Sequence, residues 1–72
     1  MPAKVTLSTF PSVSGDRCYW QVFVGGMPVT RETESQTDAT RSFERVCKEM
    51  STHGRTVQRA FWNGYDAVET IL

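Results

Sequence analysis

The sequence contains few of the residues that carry enzyme chemistry or bind metals. Its 72 residues include one histidine, His53, and two cysteines, Cys18 and Cys47. Neither an HxxxH nor a CxxC spacing is present, which disfavours a zinc or iron site. Two cysteines are also too few for a disulfide framework. We therefore expect no metal, no cofactor and no catalytic residue, and we interpret both cysteines as buried free thiols.

A surplus of charge and a long apolar run are also missing. Eight Lys and Arg balance eight Asp and Glu, so the formal net charge is zero. This balance removes the strong electrostatic attraction behind non-specific nucleic-acid binding. The apolar run Val22-Phe23-Val24 is far too short to cross a bilayer, and the first residues lack the pattern of a secretory signal. We expect a cytoplasmic protein that does not contact membranes.

Motifs for hydrolysis or phosphate binding are not convincing. The acidic pairs Asp66 with Glu69 and Glu32 with Glu34 lie on strand segments where such residues usually provide solubility and discourage edge pairing. Gly25-Gly26 is followed by Met-Pro-Val, whereas a phosphate-binding loop continues into a helix that opens with Lys and Ser or Thr. We therefore predict that the chain is not an enzyme.

The length of the chain predicts a single domain over residues 1–72. Chains of this size bury only about 60% of the surface that they expose when unfolded. We therefore expect marginal stability, or stability to which a partner contributes.

Three strands are predicted in the first half of the chain. Residues 3–7 alternate apolar and polar side chains, and residues 17–24 are dense in aromatic and β-branched ones. A turn-forming cluster at residues 12–16 separates them. Gly25-Gly26 then predicts a reversal into a charged strand at residues 28–33, whose proline suits a sheet edge.

One amphipathic helix is predicted next. Ser35 can cap it, with Asp38 three residues further on, and Gly54 can end it. Five apolar residues recur at helical spacing and form one stripe: Ala39, Phe43, Val46, Cys47 and Met50. The stripe predicts that the helix packs on one face of a sheet.

The pair Asn63-Gly64 predicts a closing hairpin, because this dipeptide readily takes the positive φ angles of a two-residue turn. The resulting register places Trp62 opposite Tyr65 and Ala60 opposite Ala67. Since facing alanines leave room for a helix, we assign these four residues to the helix side. The other face then receives Val57, Arg59, Phe61, Asp66 and Val68. The prediction is an α+β fold of order ββ(β)αββ, with a four- to five-stranded antiparallel sheet and one covering helix.

The face away from the helix is the candidate binding site. Alternation in the second strand gives Cys18, Trp20, Val22 and Val24 to the helix side. Five residues are predicted to share the uncovered face: Tyr19, Gln21, Phe23, Arg59 and Phe61. An exposed apolar patch of this kind marks a protein interface. Two alternatives remain: a homodimer that buries this face against itself, and a nucleic-acid-binding regulator whose rings stack bases beside arginines.

The layout as a whole resembles a known family. Residues 6–11, the turn at Gly15, residues 19–24, the Gly25-Gly26 reversal, the helix ending at Gly54 and the Asn63-Gly64 hairpin are together similar to small phage-encoded anti-CRISPR proteins. The resemblance spans nearly the whole chain at the level of architecture and size, and it assigns no site residue. It implies a non-enzymatic inhibitor that docks on a Cas subunit of a type I CRISPR surveillance complex. Docking would block target DNA binding or nuclease recruitment, and the neutral charge favours recognition by shape over DNA mimicry.

Overall fold

The computed structural model describes residues 2–64 and 70–72, and within them the chain folds into one helix and a five-stranded sheet. The elements are β1 (Ala3–Pro11), β2 (Cys18–Val24), β3 (Met27–Pro28), α1 (Gln36–Thr52), β4 (Val57–Trp62) and β5 (Thr70–Ile71). Across the sheet the strands lie in the order β3-β2-β1-β4-β5. The predicted α+β class and the predicted order of elements are confirmed.

The sheet is mixed, with β1 at its centre. β1 pairs antiparallel with β2 and parallel with β4, while the outer pairs, β2 with β3 and β4 with β5, are antiparallel. The prediction of a wholly antiparallel sheet is therefore wrong for the β1–β4 pair. The reason is the helix, because α1 returns the chain to the end of the sheet where β1 begins, and β4 then runs in the same direction as β1.

Both ends of α1 follow the predicted signals. The Ser35 hydroxyl accepts a hydrogen bond from the backbone N–H of Asp38 at 3.2 Å. At the other end, Arg55 N–H donates to Met50 O at 3.1 Å and Gly54 N–H donates to Ser51 O at 3.0 Å. With Gly54 at φ +79°, these bonds form a Schellman motif that satisfies the last carbonyls of the helix.

The core lies between α1 and one face of the sheet. Its buried cluster consists of Val5, Val22, Phe43, Val46 and Cys47. Four partly buried residues pack against this cluster: Leu7, Val24, Met50 and Val57. Full burial of one such side chain stabilises the fold by about 1.5–3 kcal/mol. The helical stripe predicted from the sequence is therefore the stripe that packs on the sheet.

The strand register shows which residues of β4 face the helix. Directly paired residues of neighbouring strands share a face, and Val5 is paired with Val24 in β2 and with Arg59 in β4. Arg59 therefore lies on the helix side, where its guanidinium carbon is 5.0 Å from the centre of the Phe43 ring. The predicted faces of β4 are inverted. Val57, Arg59 and Phe61 face α1, whereas Ala60 and Trp62 face away from it.

The Asn63-Gly64 pair does not form the predicted turn. β4 pairs Ala60 with Ile71, which excludes the predicted pairing of Ala60 with Ala67. A type I′ turn also needs a positive φ at Asn63, but in the described part of the chain only glycines have positive φ. The predicted positions of Tyr65, Asp66, Ala67 and Val68 lie outside the described residues.

Glycine is required at position 64 because the backbone passes very close to the end of β1. A Cβ atom there would lie 2.9 Å from Phe10 Cα and closer still to the carbonyl oxygen of Thr9. The φ of Gly64 is +83°, a conformation that side chains disfavour. The sequence therefore marked a position that needs glycine, but the reason is the close approach of the backbone to β1 and not a two-residue turn.

The β3 edge of the sheet is shorter and less regular than predicted. After β3, Val29 N–H still donates to Val22 O at 2.9 Å, and the next backbone pairing with β2 is an isolated bridge between Trp20 and Thr33. Between these points Thr30 replaces the missing ladder, because its hydroxyl accepts from Val22 N–H at 3.0 Å and its carbonyl accepts from Gln21 Nε2 at 2.9 Å. The predicted edge position of Pro28 is confirmed, and the irregular segment protects this edge from further strand pairing.

Candidate docking surface

The side of the sheet that points away from α1 is referred to below as the open face. Its described residues follow from the strand register: Lys4, Thr6, Ser8, Phe10, Tyr19, Gln21, Phe23, Pro28, Gln58, Ala60, Trp62 and Ile71. All three long strands contribute an aromatic residue, and the rings are half-buried. The open face therefore presents ring surface that α1 does not cover.

One ring pair lies at the far end of this face. Phe10 and Tyr19 are directly paired across β1 and β2, and their ring centres are 6.3 Å apart at an interplanar angle of 38°. Such a tilted pair adds about 0.5–1.5 kcal/mol beyond its buried area. The pair fixes the position of both rings before any partner arrives.

Small side chains fill the middle of the open face. Thr6, Ser8 and Ala60 retain only 6%, 2% and 0% of their exposure, although none of them faces the helix. The register places them beside larger neighbours, with Phe23 next to Thr6 and Trp62 next to Ser8. In the described part of the chain every buried side-chain nitrogen or oxygen has a hydrogen-bond partner. The polar atoms in the floor of the open face are thus satisfied, and the larger side chains form its surface.

The structure divides the predicted site residues between the two faces. Tyr19, Gln21 and Phe23 lie on the open face as predicted, because the alternation in β2 is unambiguous. Arg59 and Phe61 lie on the helix side, so the structure does not bring the five residues together. Phe61 packs there against Trp20, at 6.5 Å between ring centres. The prediction that these two residues share the uncovered face is therefore wrong.

Arg59 is held by α1 and is not available to the open face. Its Nη1 donates to Glu44 Oε2 at 3.1 Å and its Nη2 donates to Glu44 Oε1, while its guanidinium lies over the Phe43 ring. The hydrogen bond to Arg59 lowers the pKa of Glu44, and the same bond raises the pKa of Arg59. Because Arg59 lies on the helix side, it adds no charge to the open face. Lys4 is the only charged residue that the register places there among the described strands.

Sequence reasoning missed two rings of the open face, Phe10 and Trp62. The alternation of β1 contained a signal for Phe10, because it shares parity with the polar residues Lys4, Thr6 and Ser8. Trp62 had no such signal, since its face is decided by the parallel pairing of β4 with β1. A local sequence pattern does not reveal that pairing.

The two cysteines are free, but only one of them is buried. Burial raises the pKa of the Cys47 thiol, which keeps it protonated and unreactive at neutral pH. Cys18 is exposed because it opens β2 at the end of the sheet that α1 does not cover. The prediction of free thiols is confirmed, and the predicted burial of Cys18 is wrong.

Other kinds of site find no support in residues 2–64 and 70–72. These residues hold no group of three or more His, Cys, Asp or Glu that could bind a metal ion. A groove between α1 and β4 is lined in part by Glu44, Cys47 and Arg59, but there the two charged groups bind each other. In the same described part, no helix has the length and apolar character needed to span a membrane.

Comparison with known proteins adds no relative, because no protein family, curated protein or solved structure matches the chain. The case for a site therefore rests on the geometry of the sheet and on the chemistry of its two faces.

Proposed function

We propose that this chain is a small, non-enzymatic protein-binding domain that docks through the open face of its sheet. One observation carries the proposal: among the described residues, α1 packs on one face of the sheet, and Phe10, Tyr19, Phe23 and Trp62 lie on the other. Aromatic side chains are enriched among the residues that dominate protein interfaces, and charged ones are depleted at the interface centre. The open face has this composition.

The more specific proposal is that the partner is a subunit of a type I CRISPR surveillance complex. Docking then inhibits the complex by blocking target DNA binding or nuclease recruitment, in the cytoplasm of the host cell. Support comes from the small size and the strand-strand-helix-strand-strand order, which resemble those of phage anti-CRISPR proteins. Among the described strands, Lys4 is the one charged residue on the open face, and this supports docking by shape rather than imitation of DNA.

The test is direct binding to a purified type I surveillance complex, measured by biolayer interferometry. We expect Tyr19→Ala and Trp62→Ala to raise the Kd about tenfold or more each, because each removes a ring from the contact. Arg45→Ala, an exposed change on the outer side of α1, is the matched control and should leave the Kd unchanged. Thermal melting of each variant verifies that it is folded.

Three outcomes would count against this proposal. Absence of wild-type binding to the complex would remove the proposed partner, and wild-type affinity in both ring variants would remove the proposed surface.

The third outcome concerns the nucleic-acid alternative, in which the rings stack bases beside arginines. Arg59 lies on the helix side and does not supply a basic group beside the rings of the open face. Phosphate contacts lose affinity steeply with salt, with a slope of about 0.9 per contact on logarithmic axes. We expect the Kd for the surveillance complex to depend only weakly on salt concentration. A steep dependence, together with direct binding to an oligonucleotide, would favour the nucleic-acid-binding function.

A further inference from the structure

The β1–β2 hairpin extends beyond the region that α1 covers. Residues 9–19, referred to below as the arm, include no buried residue, whereas Val5 and Val22 at the other end are fully buried. The molecule measures 41 Å along its longest axis and 24 Å along the next. The arm therefore lies at the end of the β1–β2 hairpin that is away from the buried core.

The tip of the arm is held in one conformation by hydrogen bonds. Ser12 N–H donates to Arg17 O at 2.9 Å, and Gly15 N–H donates to Ser12 O at 3.0 Å. The hydroxyls of Ser12 and Ser14 both donate to Asp16 Oδ1, the first at 3.2 Å. These bonds lower the pKa of Asp16, so the carboxylate that organises the tip stays charged at neutral pH. A tip fixed in advance loses little conformational entropy when it binds.

Val13 occupies the outermost position of this tip. Its relative exposure is 110%, against 48% for Val29, another exposed valine of the chain. Turns usually carry Gly, Pro, Asn, Asp or Ser at such positions. Since Val13 is fully solvated, its side chain contributes nothing to the core, and burying it against another molecule is favourable.

The open face is too small to form a typical docking contact alone. With about 3.3 Å per residue along a strand and about 4.8 Å between strands, the flat area of the three long strands is about 350 Å². Stable protein interfaces bury about 800 Å² on each partner. The ring pair of Phe10 and Tyr19 leads directly from the open face to the tip, so the arm is the continuous extension of the contact.

We propose that the arm inserts Val13 into an apolar pocket of the protein that docks on the open face. This inference rests on the proposed function for the existence of that partner. Charge favours a protein pocket over phosphate or lipid headgroups, because Arg17 is paired with Glu34 at 3.1 Å. Within residues 12–17 no other cation is present.

The experiment compares two valine substitutions in binding to the purified type I surveillance complex. Val13→Asp should raise the Kd about tenfold or more, the effect of losing one buried valine side chain. Val29→Asp places the same charge at another exposed valine, on the edge beside β2, and should leave the Kd unchanged. Both variants should have the same melting temperature as the wild type, since neither valine is buried.

The outcomes separate this inference from the proposed function. If Val13→Asp binds like the wild type while Tyr19→Ala is weakened, the inference is overturned and the proposed function stands. If Val29→Asp is weakened equally, the loss is a general charge effect and the inference also falls. If the wild type does not bind the complex, both fall. A last outcome concerns membranes. If the wild type binds phosphatidylcholine–phosphatidylglycerol vesicles and Val13→Asp does not, Val13 inserts into a membrane and the proposal of a protein pocket is overturned.

Discussion

The two ends of the sheet are held by different kinds of contact. At the covered end a buried cluster packs beneath α1: Val5, Val22, Phe43, Val46 and Cys47. Toward the arm, ring pairs replace the buried cluster, with Phe10 and Tyr19 on the open face and Trp20 and Phe61 on the helix side. The covered end therefore supplies most of the folding free energy, and the arm keeps surface for another molecule.

The largest effect is expected from Phe43→Ala, which breaks the covered end. Removal of the ring leaves a cavity in the core and takes the support from under the Arg59 guanidinium. We expect a loss of about 3–5 kcal/mol in the free energy of unfolding, measured by urea denaturation. A domain of this size has only about 4–11 kcal/mol in total, so this change should remove a large share of its stability.

The control for this change is Val29→Ala, an exposed position away from the core. It should stay within about 0.5 kcal/mol of the wild type. A loss below about 1 kcal/mol for Phe43→Ala would contradict the assignment of the covered end as the source of stability.

A second, intermediate effect is expected where the backbone of residue 64 meets the base of the arm. Gly64→Ala and Gly15→Ala both place a side chain at positive φ, +83° and +78°, at a cost of about 1–2 kcal/mol. Only the former also collides with Thr9 and Phe10, because the space around Gly15 is empty within 4 Å. We expect Gly64→Ala to cost about 1–3 kcal/mol more than Gly15→Ala in urea denaturation.

Equal destabilisation by the two alanines would mean that residue 64 does not approach β1. Nuclear magnetic resonance shifts of Thr9 and Phe10 amides provide a local check. They should move in Gly64→Ala and remain in place in Gly15→Ala.

The smallest effect is expected from Glu44→Gln, which alters the exposed clamp on Arg59. The pKa of Glu44 is lowered in the folded state, so its contribution to stability is present above the unfolded carboxyl pKa of about 4.3. That contribution is lost as the pH falls through the lower folded pKa. Thermal melting followed against pH provides the measurement. We expect the melting temperatures of wild type and variant to differ slightly at pH 7 and to converge in acid.

High salt should also reduce the difference, because the pair is exposed to solvent. A difference that grows in acid would contradict the pairing of Glu44 with Arg59. Glu49→Gln, on the same helix and exposed, provides the comparison for a general loss of charge.

The elements of the covered end could be predicted because their signals are local. Ser35, the apolar stripe and Gly54 define α1 from neighbouring residues alone, and the helix forms between them as expected. The strict alternation of β2 placed Tyr19, Gln21 and Phe23 on the correct face for the same reason.

The faces of β4 could not be predicted in this way. Its sequence Val-Gln-Arg-Ala-Phe-Trp places apolar residues on both parities, so only the partner strand decides between them. Arg59 adds to the ambiguity, because its long stem allows a charged residue to cover the Phe43 ring on the helix side. The predicted faces were consequently correct for the site residues of β2 and wrong for Arg59 and Phe61 of β4.

The central position of β1 in the sheet has a consequence for how the chain folds as it is synthesised. β1 is synthesised before α1, and its parallel neighbour β4 emerges only after α1, so one side of β1 stays unpaired while the helix is made. Pairings between distant segments form late and slow the overall rate of folding. Until β4 arrives, the nascent protein exposes an unpaired strand beside apolar side chains, which is the stage most open to aggregation or to protection by a chaperone.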